Sequence, residues 1–326
     1  MSMKIKIWGS RGSLPAPYTP AEVEDKINKS LTDFFDGGYT GKADIKEFLK
    51  NRMTGRFSGY GGNTLCVELT TPKSQLIIDA GSGIRLLGYK LLQGSCGKGK
   101  GEVHILFTHF HWDHISGLPF FVPMHIPGNK IHVYAVQDDL EKMFQTMFQK
   151  PYFPLELKDV AGTIIYHKID LHTWYDFNDL VYSPFNLDHP DPCYGYRFEY
   201  HGKSYGHCVD TEAKVISPQK LGKDADYYKD LDLMLFDAQY RTKEKYEKVD
   251  WGHASAAVGI DIAMNEGIKK AVFIHHDPSS TDEKIYEYEQ EAREYYETKL
   301  AMSEKTGRKL QKVEWSFAYD GMEIEV

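Results

Sequence analysis

The chain has 326 residues, 41% of them hydrophobic, and 39 basic against 47 acidic side chains give a net charge of −8. That length buries one large core, with or without insertions, and the acidic balance provides no general attraction to a polyphosphate backbone. No run approaches the roughly eighteen apolar residues of a membrane span, and the start has no signal-peptide layout, so a cytoplasmic location is expected.

In chain order, residues 4–8 alternate as a half-buried strand that ends in the glycine-rich turn 9–13. This turn lacks the Gly-Lys-Ser/Thr ending of a phosphate loop. Residues 18–57 then change character. Val23, Ile27, Leu31, Phe34 and Phe35, and after them Ile45, Phe48, Leu49 and Met53, recur at helical spacing on either side of glycines 37, 38 and 41. The pattern predicts a two-helix insertion within one domain spanning 1–326. Its apolar faces suit a lid, a dimer contact or simple packing, with packing weighing as much as the other two together.

Strands are expected at 65–69, 75–78 and 103–107, with a helix at 83–92. Further strands follow at 130–135, 162–169, 180–185, 194–200, 203–210, 231–237, 270–275, 313–317 and 322–326. Helices are expected at 138–148, 254–266 and 281–302. Cys66, Cys96, Cys193 and Cys208 lack CxxC spacing and read as free thiols. Cys208, near Asp210, reads as packing ahead of lining a site. Tyr60, Trp112, Phe120, Phe121 and Trp251 are aromatic surfaces able to stack a base, yet each reads first as core.

The stretch Thr108-His109-Phe110-His111-Trp112-Asp113-His114 organises the rest. In an extended segment His109 and His111 point to the same side and can hold one ion. Asp113 and His114 fall in the turn opening the next helix, near enough for a second. Imidazole suits Zn, Mn or Fe, and a carboxylate both binds and bridges such ions.

This stretch resembles the HxHxDH motif of the metallo-β-lactamase-fold hydrolases. On that resemblance His109, His111 and His189 hold the first ion, Asp113, His114 and His275 the second, and Asp210 bridges them. His276 competes with His275, which is preferred because the family's last ligand closes a buried strand three residues before such a proline. Asp79 matches an aspartate that supports the metal-ligand turn. The pairing of His253, in Trp251-Gly252-His253-Ala254-Ser255, with Asp237 resembles the ribonuclease Z and phosphodiesterase branch. There His253 contacts the scissile phosphate or protonates the leaving oxygen, and Asp237 fixes its tautomer; a simple helix cap is the competing reading of His253.

Beyond these motifs, segments such as IWGSRGSLP, GYGGNTLCVE, IIDAGSGIR and FIHHDP resemble bacterial proteins related to cyclic-nucleotide phosphodiesterases, along nearly all of the chain except 18–57. The resemblance implies an α/β fold, the αββα four-layer sandwich, with the helical insertion near the N-terminus. It implies two divalent metal ions, Zn first and Mn second, and a homodimer. The implied activity is a metal-dependent phosphodiesterase acting on a small phosphodiester, foremost a cyclic nucleotide, through a hydroxide bridging the two ions, with Asp113 able to orient it. A ribonuclease Z-like RNA-processing endonuclease is the alternative enzyme, although no basic Gly/Pro-rich arm lies between His114 and His189 to grip a long nucleic acid. A thioester or lactam hydrolase is a weaker third, and a non-catalytic metal-dependent nucleotide-binding or sensing protein is the alternative from another class.

Overall fold

The computed structural model of the protein describes residues 2–50, 58–213, 221–307 and 310–326. Its strands are β1 (Lys4–Gly9), β2 (Cys66–Thr70), β3 (Gln75–Ile78), β4 (Glu102–Leu106), β5 (Lys130–Ala135), β6 (Thr163–Lys168) and β7 (Tyr175–Phe177). They continue as β8 (Leu180–Asn186), β9 (Tyr194–Tyr200), β10 (Lys203–Cys208), β11 (Leu233–Asp237), β12 (Lys270–Ile274), β13 (Glu314–Phe317) and β14 (Glu323–Glu325). One seven-stranded sheet has the order β14-β1-β2-β3-β4-β5-β6, the other β13-β12-β11-β10-β9-β8-β7.

Strands β3 to β6 run parallel, as do β10 to β13, and parallel strands need cover on both faces. Three clusters of buried side chains supply it. Between the sheets Ile5, Leu76, Ile78 and Leu106 meet Tyr182, Phe198, Leu235, Val272 and Ile274. On the outer face of the first sheet Ile77 and Ile105 pack under Ile84 and Leu87 of the helix Ile84–Leu91 and Phe144 of the helix Leu140–Met147. Outside the second, Met234, Phe236 and Phe273 meet Ile260 and Ala263 of the helix Ala256–Glu266 and Ile285 and Tyr288 of the helix Asp282–Thr306. Ile77 faces outward while Leu76 and Ile78 face inward, the period of two that builds a four-layer αββα sandwich.

The carboxyl ends of the parallel strands in both sheets open on one edge, the usual place for a site in such sheets. Asp79 follows β3, His109 follows β4, Asp210 follows β10, Asp237 ends β11 and His275 follows β12. Asp79, Asp210 and His275 leave their strands at φ 61°, 63° and 72°. For residues other than glycine this left-handed conformation costs on the order of 1–3 kcal/mol and concentrates at functional sites.

The helices Pro20–Asp36 and Asp44–Lys50 stand where the insertion is expected, the first opened by a Thr19–Glu22 capping box. Phe34, Tyr39 and Phe48 pack ring against ring. Packing accounts for little more, because Val23, Ile27, Leu31, Phe35, Ile45 and Leu49 are exposed. Met53 and the end of the insertion to 57 lie outside the described residues. Among the described residues no helix is long and apolar enough to cross a membrane.

Candidate active site

The site begins with Thr108. Its backbone N–H and hydroxyl donate to the two carboxylate oxygens of buried Asp79, at 2.9 and 2.8 Å, tying the end of β4 to that of β3. With its proton committed to Asp79, the hydroxyl accepts from His109 Nδ1 at 3.0 Å. His109 Nε2, buried, is then bare and has no hydrogen-bond partner among the described residues. The chain next makes the one-turn helix Trp112–Ile115, which delivers Asp113 and His114.

The same logic holds for the other rings. His114 Nδ1 donates to Asp79 Oδ2 at 2.8 Å, His275 Nδ1 to Gln239 Oε1 at 2.9 Å, His189 Nδ1 to the Gly252 carbonyl at 3.1 Å, and His111 Nε2 to Asp191 Oδ2 at 2.8 Å. An outer acceptor thus assigns each tautomer and leaves the second nitrogen for the site, as metal-ligating histidines require.

The bare atoms form two groups, each with one ligand atom per residue within 4.8 Å of the others: His109, His111 and His189, and Asp113, His114, Asp210 and His275. The His109 and His114 rings, one from each group, are 4.2 Å apart. His189 Nε2 and His111 Nδ1 face each other at 3.3 Å, two lone pairs that a cation reconciles. His114 Nε2 and Asp210 Oδ2 lie 2.9 Å apart, yet both lack a hydrogen-bond partner among the described residues. Buried polar atoms left unpaired cost free energy; here they converge on shared points, so the donor set fits divalent metal ions of the imidazole- and carboxylate-binding kind.

The electrostatics agree. Burial pushes His109 and His189 below the ordinary imidazole value and keeps them neutral. Burial alone would also lower His114, but Asp210, Asp113 and Asp79 outweigh it and raise the ring well above that value. Asp210 is held far below the usual carboxylate range, its desolvation overcome by His275 and His114. The site is a buried concentration of negative charge that calls for cations.

Beside these groups, His253 Nδ1 donates to Asp237 Oδ2 at 2.8 Å, while Asp237 Oδ1 accepts from the backbone of Ala254 and Gln239. The His253 ring lies 5.6 Å from that of His189 and 5.0 Å from that of His275, so the dyad borders both groups. His276 points elsewhere, its Nε2 donating to the Ala318 carbonyl at 2.8 Å.

Several contributors have no sequence signature. Ser13 N donates to Asp113 Oδ2 at 2.8 Å, and Asp191 and Gln239 hold ligand rings. Cys193 Sγ sits 3.6 Å from His109 Nδ1, whereas Cys208 packs in the outer core. Two glycines admit rings: a Cβ on Gly12 would stand 2.4 Å from the His275 imidazole, and one on Gly252, at φ +83°, 2.2 Å from His189 Nδ1. Of the aromatics, Tyr60 and Phe121 are core, but Trp112, Phe120 and Trp251 are 60–65% exposed, contrary to the core reading. Trp112 opens the one-turn helix Trp112–Ile115, Phe120 ends a short 3-10 turn and Trp251 lies in a loop, and each projects outward from there.

The family model of the beta-lactamase superfamily domain matches residues 75–276, from β3 through the last histidines of the site. The chain belongs to the beta-lactamase superfamily. Within it, a ribonuclease Z of Lachnoclostridium phytofermentans is 24% identical over 271 residues, 68% of this chain and 84% of that protein. A ribonuclease Z of Staphylococcus carnosus is 27% identical over 134 residues, 38% of each chain. The metallo-beta-lactamase fold protein YhfI from Bacillus subtilis superposes with a TM-score of 0.63 at 14% identity, covering 100% of this chain and 99% of that one. Unliganded yeast PDE1 superposes with 0.62 at 14% identity and the same coverage. These superpositions show the fold. The chain is a metallo-β-lactamase-fold hydrolase, and this fold implies divalent metal ions, for which the histidine and aspartate groups are the candidate ligands.

Proposed function

We propose that this superfamily member hydrolyses a small phosphodiester, foremost a cyclic nucleotide, at a two-metal site. The observation that carries the reading is the His253–Asp237 dyad beside both ligand groups. His109, His111 and His189 would hold one ion and Asp113, His114 and His275 the other, with Asp210 between them. Divalent ions there supply a nucleophile from water at neutral pH and offset phosphoryl charge.

The remaining work falls to side chains. Asp237 fixes Nδ1–H of His253, leaving Nε2 as the nitrogen that carries a proton to the departing alkoxide. As that proton arrives or leaves, the buried carboxylate stabilises the charged ring. A phosphodiester is favoured over a lactam or thioester by the ribonuclease Z relatives. A small substrate accords with the net charge of −8, and exposed Trp112 and Trp251, next in sequence to His111 and Gly252, offer flat surfaces for a base. The ribonuclease Z relatives support a second reading, an RNA-processing nuclease.

The test is an assay with zinc or manganese against 3′,5′- and 2′,3′-cyclic nucleotides, bis(p-nitrophenyl) phosphate and precursor transfer RNA. Turnover of a cyclic nucleotide is expected. Cleavage of the RNA alone would move the assignment to the nuclease, and full metal occupancy without hydrolysis of any of them would overturn both in favour of a binding protein.

A further inference from the structure

A second histidine cluster stands on β4, β5 and β6, away from the strand ends just described. Strand periodicity puts Glu102 and His104 on one face of β4, beside Lys130, His132 and Tyr134 on β5 and His167 on β6. His104 and His132 are register partners whose rings stack at 4.5 Å and 18°. Phe177 of the opposite sheet closes one side, its ring edge-on to His104 at 4.8 Å.

The hydrogen bonds have the pattern of ligand histidines. His104 Nδ1 meets Tyr134 Oη at 2.9 Å, and His132 Nδ1 meets His167 Nε2 at 2.9 Å. Both rings are oriented through Nδ1, and where Tyr134 Oη and His167 Nε2 act as the acceptors the two Nε2 atoms carry lone pairs. His132 Nε2 is buried and has no hydrogen-bond partner among the described residues. One ligand atom from each of Glu102, His104 and His132 lies within 4.8 Å of the other two.

We propose that Glu102, His104 and His132 hold a further divalent ion of the zinc, copper or nickel class on the flank of the sandwich. Two imidazoles and a carboxylate favour these borderline metals over calcium or magnesium. Bonds of about 2.1 Å to a tetrahedral ion place donors about 3.4 Å apart, so closure on the order of an ångström completes the triad, with solvent as the remaining ligand. Burial lowers both His104, to about 4, and His132, so the rings are neutral at pH 7 as ligation demands. Glu102 pairs at present with Lys130 at 2.8 Å, an exposed ion pair that a divalent ion displaces readily. Tyr134 and His167 are positioning residues, and bound metal would clip two parallel strands together.

The experiment is a zinc titration of the metal-loaded enzyme against a chromophoric chelator, with metal content by mass spectrometry after equilibrium dialysis. Wild type should take up one equivalent beyond its strand-end complement. His132→Ala should lose that equivalent, Glu102→Gln should bind it at least tenfold more weakly, and both should hydrolyse bis(p-nitrophenyl) phosphate at the wild-type rate. His114→Ala, which disrupts the strand-end site, should keep it. Identical uptake in wild type, His132→Ala and Glu102→Gln, or no additional equivalent in wild type, would overturn the proposal. If melting shows that His132→Ala does not fold, Glu102→Gln decides it, since that side chain is exposed at the start of β4.

Discussion

Asp79 Oδ2 lies 2.8 Å from His114 Nδ1, and neither side chain is reached by solvent. The same carboxylate holds Thr108, which in turn orients His109. One aspartate that need not touch a metal thus sets a ligand ring in each group. Asp79→Ala should weaken metal affinity 10–100-fold, the usual effect of losing such a support. Competition with a chelator measures this, and wild-type affinity in the variant would show that the rings are positioned by packing alone.

His253 and Asp237 should separate chemistry from metal binding. His253→Ala is expected to retain full metal content while turnover falls by roughly 10²–10⁴, the range for a positioned general acid. Asp237→Asn should cause a loss of similar size, and the double variant little more, because residues acting as a unit are not additive. Additive losses on the phosphodiester substrate would mean that Asp237 acts independently of His253.

Close approach makes glycine a selective probe of the two groups. Gly12→Ala drives a methyl into the His275 ring and Gly252→Ala one into His189, each closer than 2.5 Å. Such overpacking costs about 1–3 kcal/mol where the neighbour cannot move. Gly12→Ala should empty the Asp113–His114–His275 group and Gly252→Ala the His109–His111–His189 group, leaving about one strand-end equivalent of metal in each variant, counted apart from any ion at Glu102, His104 and His132. Two strand-end equivalents in both would show that the rings yield without losing their ions.

The contrast between these residues explains what was legible in sequence. His109, His111, Asp113 and His114 lie within six positions, so their spacing alone carries chemistry. His189, Asp210 and His275 became readable only through the order of a family. Of the residues that hold the rings, Asp79 was readable through the same order, but Asp191 and Gln239 were not: Asp191 meets His111 across 80 positions and Gln239 meets His275 across 36, each through one side-chain contact that leaves no periodicity. Elements behaved likewise. Buried β12 announced itself by its apolar run, whereas the three-residue β7 and the polar helix Thr242–Glu247 lack a pattern long enough to detect. The apolar stripe of residues 23–35 and 45–49 lies on helices but gave no sign of its exposure, since periodicity reports a face and not what covers it.

A pH-dependent prediction comes from Glu289, where Tyr60 Oη donates to the carboxylate at 3.1 Å. Burial raises its pKa above the usual 4.5, and the Tyr60 hydrogen bond and Arg293 only partly offset that. A carboxyl with a raised folded pKa binds more protons folded than unfolded between the two values, so its contribution to stability falls as pH rises through that window. Glu289→Gln keeps an acceptor for Tyr60 and removes the titration; the Arg293 pair it gives up, 3.6 Å long and with Arg293 half exposed, is worth little. The variant should match wild type near pH 4, where Glu289 is neutral, and become the more stable of the two by pH 7.5. Urea unfolding of both proteins at each pH cancels contributions common to them, including any bound metal. A stability difference that stays constant from pH 4 to 7.5 would mean that Glu289 ionises in the folded protein as freely as in the unfolded chain.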